Sequence, residues 1–362
     1  MLAPPRFRNL LECTPRGLYC PAGDFYIDPW QSVDRAVITH AHADHARWGS
    51  RAYLATNSCR SLLQLRLGAG IHLETLPYGE PITIGSARVS LHPAGHILGS
   101  SQVRIEANGA IAVVSGDYKR QMDPTCEPWE PLHCHLYVTE STFGLPVFRW
   151  QETDVVIREV LQWWSKNRAE KRTSILLAYA VGKSQRLIAE ILRLTGPEAA
   201  SDMFVHGALL GPNHAYRASG VNLPDIPSAA SMPRDHDWSG RLILAPPSAQ
   251  NSPWLDRFKD ASIAMASGWM AIRGTRRRRA MDRGFVLSDH ADWRELQDSI
   301  EQCKPEELWV THGFAKTLAR FQSELGIMSR AIDTRFTGDE DEANADLEVE
   351  PVKSDPPQES SE

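Results

Sequence analysis

Four side chains of the kinds that bind metal lie within six residues at His40-Ala41-His42-Ala43-Asp44-His45. They follow Thr39 and a short apolar run, Ala36-Val37-Ile38, that reads as a buried strand. On a nearly extended backbone, side chains two residues apart leave on one side, so His40 and His42 can share one cation. Asp44 and His45 come after the chain has turned and can face a second cation. Two-metal hydrolase sites hold their ions roughly 3.5–4 Å apart. The plainer alternative is a polar loop of surface histidines, and this spacing directly after a strand argues against it.

Other candidates stand at the ends of predicted strands. Phe25-Tyr26-Ile27 is a strand signal closed by Asp28-Pro29. Asp28 either begins a turn or is a carboxylate that orients the histidine loop; spacing alone leaves both open. His96 lies between Gly95 and Gly99, where the backbone can bend sharply. Beside an incomplete first cation site it is the natural third ligand. Ala110–Val114 is a buried strand that leads into Ser115-Gly116-Asp117, and a carboxylate can bridge two ions where a neutral imidazole cannot. Leu136–Thr139 repeats the design with Glu140 at its tip. Near the end of the chain, Phe285–Ser288 reads as a strand leading into Asp289-His290-Ala291-Asp292, and Glu307–Thr311 as one leading into His312-Gly313. Asp292 and Glu295 form a helix-start pattern.

The bulk properties bound what these residues can serve. The 362 residues are 42% hydrophobic and 23% charged, which fits a globular protein of two domains or one with an insertion. No apolar run is long enough for a transmembrane helix, and the first residues lack the apolar core of a signal peptide. The expectation is therefore a cytoplasmic protein without membrane contact. None of the six cysteines forms a C-x-x-C pair, so reduced thiols are expected. Cys134, between His133 and His135, lacks the second cluster that a metal site would need.

The net charge of −6 is unevenly spread. Residues 337–362 hold ten acidic residues and one lysine, which leaves the remainder mildly basic. Their composition cannot build a core, and an acidic disordered tail is expected. A polyanionic substrate is thus compatible with the body of the chain.

The pattern changes near residue 150. Predicted strands at 174–180, 203–205, 242–245 and 263–266 alternate with helices, as in a small α/β unit. Gly182-Lys183-Ser184 after the first of these strands invites a phosphate-loop reading. It fails, because Leu177 stands where that loop needs glycine. Arg273, Arg276, Arg277, Arg278, Arg279 and Arg283 make a dense basic run. It is either a solvated face or a contact for a phosphate backbone.

Taken together, His40-x-His42-x-Asp44-His45, His96, Asp117, Glu140-Ser141-Thr142, Ser288-Asp289-His290-Ala291-Asp292 and Thr311-His312-Gly313 resemble the metallo-β-lactamase superfamily in its β-CASP nuclease branch. Gly17-Leu18-Tyr19-Cys20-Pro21, Ser115–Arg120, Glu140–Pro146 and Ala266–Met270 look similar to one bacterial family, the DNA ligase-associated DNA damage response exonucleases. Members of that family are also described as mRNA 3′-end processing factor-like.

The resemblance implies an α/β fold, a four-layer αβ/βα sandwich with an inserted β-CASP-like α/β cap. Residues 1–150 and 276–336 would form the two parts of the core, 151–275 the cap, and 337–362 the tail. By motif match, His40, His42 and His96 would bind one metal, Asp44, His45 and His312 the other, and Asp117 would bridge. Asp28 would support the histidine loop. Asp44, Glu140 and His290 would be the catalytic groups, with Lys183 and the arginine run on the nucleic acid. Two divalent ions suit such ligands, zinc first and manganese second. The implied activity is a two-metal phosphodiesterase, a DNA exonuclease in repair, with DNA favoured over RNA and a DNA ligase and helicase as partners. A ribonuclease that processes RNA 3′ ends, or a small-substrate metallo-hydrolase, are the alternatives.

Overall fold

The computed structural model describes residues 10–272 and 281–332. The cluster Arg273, Arg276, Arg277, Arg278 and Arg279 and the acidic tail lie outside the described residues.

The chain opens with a six-stranded sheet whose strand order follows the sequence. It comprises β1 (Glu12–Thr14), β2 (Gly17–Cys20), β3 (Phe25–Ile27), β4 (Arg35–Val37), β5 (Ala52–Thr56) and β6 (Leu73–Leu76). Helix α1 (Arg60–Leu67) connects the last two. A second sheet starts with β7 (Ile82–Ile84), β8 (Ala87–Pro93), β9 (Ser101–Ala107), β10 (Ala110–Val114) and β11 (Leu136–Glu140). After α2 (Thr153–Ala169) the chain builds a third sheet from β12 (Ser174–Leu177), α3 (Lys183–Thr195), β13 (Met203–Val205), α4 (Leu210–Ala218), β14 (Leu242–Ala245), β15 (Ser262–Ala266) and β16 (Arg283–Phe285). It then returns to the second sheet through α5 (Trp293–Cys303), β17 (Glu307–Thr311), α6 (Ala315–Glu324) and β18 (Met328–Ala331).

Alternation along the strands explains the layers. Val37 and Leu54 of the first sheet meet Ala112, Val114, Val138 and Trp309 of the second in one apolar core. Their neighbours point the other way. Val113, Tyr137, Leu308 and Val310 pack under α5 and α6 through Leu296, Ile300 and Leu318. Ala36, Tyr53 and Ala55 pack under α1 and are continuous with one face of the third sheet, through Leu176, Leu244 and Ala264. The result is helix, sheet, sheet, helix, with the third sheet's unit packed on the outer side of the first sheet through α1 and α4. This mixed α/β arrangement is consistent with the fold that the motifs implied.

Parallel pairing sets the rim where chemistry can collect. Strands β10, β11 and β17 are parallel neighbours, in register Val114↔Val138 and Glu140↔Thr311. Their carboxyl ends therefore open together, and residues just beyond them share one edge.

One strand differs from the sequence reading. The strand expected at 285–288 is Arg283–Phe285, and it pairs with β15 in the third sheet, not with the core sheets. Phe285 is 1% exposed and meets the edge of Trp163 in the core beneath that sheet. His290 thus lies on the loop between β16 and α5, and not at a strand end.

Candidate metal centre

The loop after β4 is tied down before it presents a ligand. Asp28 follows β3 and accepts hydrogen bonds from the Thr39 backbone N–H (2.8 Å) and the Thr39 hydroxyl (2.6 Å). Its Oδ2 also lies 2.7 Å from Nδ1 of His45. Asp28 therefore holds the loop, and of the two readings of this residue the geometry matches the orienting carboxylate.

Among the described residues three groups of ligand-type side chains converge, the ligand atoms within each lying no more than 4.8 Å apart. The first group is His40, His42, His96 and Asp117; the second is Asp44, His45 and His312; the third is Asp117, Glu140 and His290. Asp117 belongs to two of them. Its Oδ2 is 3.6 Å from His40 Nε2 and 3.3 Å from His45 Nε2, so one carboxylate faces both of the first two groups.

In the first group the inward nitrogens are His40 Nε2, His42 Nδ1 and His96 Nε2. The two contacts to His42 are 3.2 and 3.0 Å. Tetrahedral zinc with Zn–N near 2.0–2.1 Å separates its donors by roughly 3.3 Å, so the triad fits such an ion. The outward nitrogens fix the rings: His42 Nε2 lies 3.2 Å from the Val181 carbonyl and His96 Nδ1 2.7 Å from that of Asp289. An outward N–H donated to a carbonyl leaves the inward nitrogen with its lone pair. Burial, reinforced by the neighbouring histidines, holds His40 and His96 well below the usual imidazole range, so both imidazoles are neutral.

His96 owes its placement to flanking glycines. Gly95 and Gly99 have φ of 74° and 75°, and a Cβ on Gly99 would fall 2.2 Å from the Cys59 nitrogen. No other residue fits this close approach of backbone.

The second group is incompletely satisfied. Asp44 Oδ1 and His45 Nε2 are buried without a hydrogen-bond partner. His45 Nε2 faces Asp44 Oδ2 at 3.5 Å and Asp117 Oδ2 at 3.3 Å, without hydrogen-bonding geometry. Orphaned buried donor atoms on two adjacent ligand-type residues are what a cation would satisfy. Burial disfavours a charged His45, yet Asp117, Asp44 and Asp28 outweigh it and push the imidazole well above its usual range. Asp117, despite burial, is held well below the usual carboxylate range by His45. His312 sits 5.3 Å from His45, ring centre to ring centre. His312 and Asp28 both have positive φ, 55° and 43°. Such backbone costs about 1–3 kcal/mol for a residue other than glycine and gathers at functional sites.

The third group is a supported histidine. Both oxygens of Glu140 lie within 3.0 Å of His290 Nδ1. Glu140 is itself held by the backbone N–H of Tyr118 at 2.8 Å. The ring of His290 is 4.7 Å from that of His96, which brings it to the edge of the first group. Glu140 thus stands behind His290 and orients it.

Lys183 does not do what the sequence suggested. Its side chain is 2% exposed and its Nζ is 3.4 Å from Asp289 Oδ2, so no nucleic-acid backbone can reach it. A lysine at the start of a helix after a glycine reads as an anion binder, and here the anion is internal. Sequence reasoning also missed the residues around it. Lys119, Arg186, Asp123 and Asp289 are buried in one charged network with Lys183. Burial raises the carboxyl of Asp289, but Lys183, Lys119 and Arg186 prevail and hold it well below the usual carboxylate range. The only signal for it was its place beside His290. Cys134 joins no ligand group among the described residues.

No family model matches the chain. It is 29% identical over 322 residues to a protein named a probable DNA ligase from Opitutus terrae, covering 87% of this chain and 30% of that protein. It is 28% identical over 192 residues to a ribonuclease from Thermus thermophilus, covering 45% of this chain and 44% of the ribonuclease. The chain therefore spans less than half the length of either relative. Among solved structures, a protein of unknown function from Enterococcus faecalis superposes with a TM-score of 0.57 at 12% identity, over 83% of this chain and 79% of that one.

Proposed function

These relatives point to the β-CASP nuclease branch of the metallo-β-lactamase superfamily, and from that starting point we propose that the chain is a two-metal phosphodiesterase acting on nucleic acid. The observation that carries the reading is the convergence of three ligand groups through Asp117 at one rim. His40, His42 and His96 would hold one divalent ion, Asp44, His45 and His312 a second, and Asp117 both. The histidine-rich first group suits zinc; the carboxylates of the second also accept manganese. Bound ions of this kind supply Lewis acidity and neutralise charge on phosphoryl oxygens.

The chain's own groups divide the remaining work. Asp28 and Thr39 keep the ligand loop in place. Glu140 takes the Nδ1–H of His290 and turns the other ring nitrogen away from itself. His290 is then placed to deliver a proton to a leaving sugar oxygen or to stabilise charge on phosphorus. Asp44 serves as ligand and orients the attacking water.

The relatives favour neither polymer. DNA is the first reading, because the ligase match runs over more of the chain; RNA 3′-end processing is the second, carried by the ribonuclease. A DNA ligase and a helicase are the partners proposed with the first reading, and repair in the cytoplasm its setting. No described helix is long and apolar enough to cross a membrane. Because β16 pairs with β15, we take the cap to run from about residue 151 to Phe285, with the core on either side.

The test is one assay. Purified protein with zinc or manganese is given end-labelled DNA and RNA strands, and the products are resolved by length. DNA shortened stepwise from one end supports the first reading. Cleavage of RNA alone supports the second. A metal-loaded protein that cuts neither contradicts both.

A further inference from the structure

A buried charged network lies beside the first ligand group. Lys119, Lys183 and Arg186 surround Asp123 and Asp289, and every one of these side chains is at most 5% exposed. Lys119 Nζ donates to Asp123 Oδ2 at 2.7 Å and lies 3.8 Å from Asp289 Oδ1. Arg186 donates to Asp289 Oδ1 at 3.2 Å and to the Ser288 carbonyl at 2.7 Å. Three cations thus meet two carboxylates, away from water.

Two of the cations come from α3, in the third sheet's unit, while Lys119 and Asp123 follow β10 in the core. What they grip is the segment that holds the site. The Asp289 carbonyl takes the Nδ1–H of His96, and Lys119 Nζ donates to the His96 carbonyl at 3.1 Å. His96 is therefore held at its ring and at its backbone by members of one network. The residue after Asp289 is His290, whose backbone N–H is held by Ser288 Oγ at 3.1 Å.

We infer that Lys183 and Arg186 form a clamp through which the cap positions His96 and His290 by way of Asp289. They are positioning residues and touch no reacting atom. The inference rests on reading the ligand groups as a metal site. It makes the affinity of the first metal depend on a lysine that belongs to another sheet and binds no metal itself. A purely structural network would change melting temperature and leave the affinity of the folded protein alone.

Lys183→Met is the informative variant. It leaves two cations against two carboxylates, so it strands no charge. Metal-stripped wild-type, Lys183→Met, Lys183→Arg and Asp289→Asn proteins are titrated with zinc against a chromophoric chelator, with melting curves in parallel. Loss of a group that orients a ligand typically weakens metal affinity about 10–100-fold. That fall is expected in one zinc step for Lys183→Met and Asp289→Asn, with most of it recovered in Lys183→Arg. Folded variants with wild-type affinity in both steps overturn the clamp and leave the metal site standing. Failure of both variants to fold assigns the network to stability and also overturns it. A wild-type chain that takes up no zinc overturns the metal site and the clamp together.

Discussion

The first and second ligand groups both face Asp117 yet are built on opposite principles. The first gathers three buried imidazoles beside Asp117, two of which lean on main-chain carbonyls, of Val181 and Asp289. The second is a carboxylate and two histidines, with one histidine leaning on the carboxylate of Asp28 and another on strained backbone at His312. The first is preorganised, and burial keeps two of its imidazoles, His40 and His96, neutral. The second carries buried atoms without partners and an imidazole that holds its proton. One rim can thus present two cation sites that differ in charge, in their competition with protons and in tolerance of loss.

The largest effect expected at this rim comes from neither metal group. His290→Ala should keep both metal equivalents while lowering turnover by roughly 10²–10⁴-fold, as for loss of a general acid. A phosphodiester whose leaving group needs no proton, such as p-nitrophenolate, should largely recover the loss. If that substrate suffers as much as DNA, His290 stabilises charge on phosphorus. If the variant loses metal, the separation of the third group from the other two is wrong.

His312→Ala bears directly on the contrast. It should remove the second metal equivalent and spare the first, and excess metal should restore part of the activity. Elemental analysis showing both equivalents lost would mean that the two groups load as a unit.

A proton should distinguish the groups next. His45 is held protonated above its ordinary range, so a metal must displace that proton. Second-step zinc affinity should therefore fall as pH drops from about 8 to about 6. The first step should change less, because His40 and His96 are already neutral throughout. Equal slopes for the two steps would remove the difference in charge.

Much of the site was legible because its ligands follow strands, and short apolar runs before His40, Asp117, Glu140 and His312 mark those strands. Asp28 stayed ambiguous in the sequence, since a turn and a supporting carboxylate share one spacing. Lys183 misled, because a sequence does not tell an internal anion from an external one. The pairing of Asp289 with Arg186 could not be read for the same reason: the two lie 103 positions apart. Strand β9 was missed although Val103, Ile105 and Ala107 alternate into the core between the two sheets. Arg104 and Glu106 interleave with these residues and weaken the apolar signal. The sheet that β16 joins was not legible, because a three-residue strand carries too little pattern to say.

The smallest effect concerns stability, at a residue outside all three groups. Glu295 accepts a hydrogen bond from the Asp292 backbone in the capping box that starts α5. Burial is the main cause that raises its carboxyl from 4.5 to about 7. The folded state then binds more protons than the unfolded one between these values, so stability falls as pH rises through that window. Glu295→Gln should abolish this slope, gaining on the order of 2 kcal/mol at pH 8 relative to pH 4, while both zinc steps stay as in the wild type. Denaturant melts across that pH range check the first claim. A change in either zinc step would tie this helix start to the metal groups.

The central claim is that one rim holds two cations of unlike coordination. Titration of metal-stripped wild-type protein with zinc, followed by calorimetry with elemental analysis of the end point, tests it most directly. Two equivalents should bind in two resolved steps, with proton release concentrated in the second. A single equivalent, or none, would contradict it.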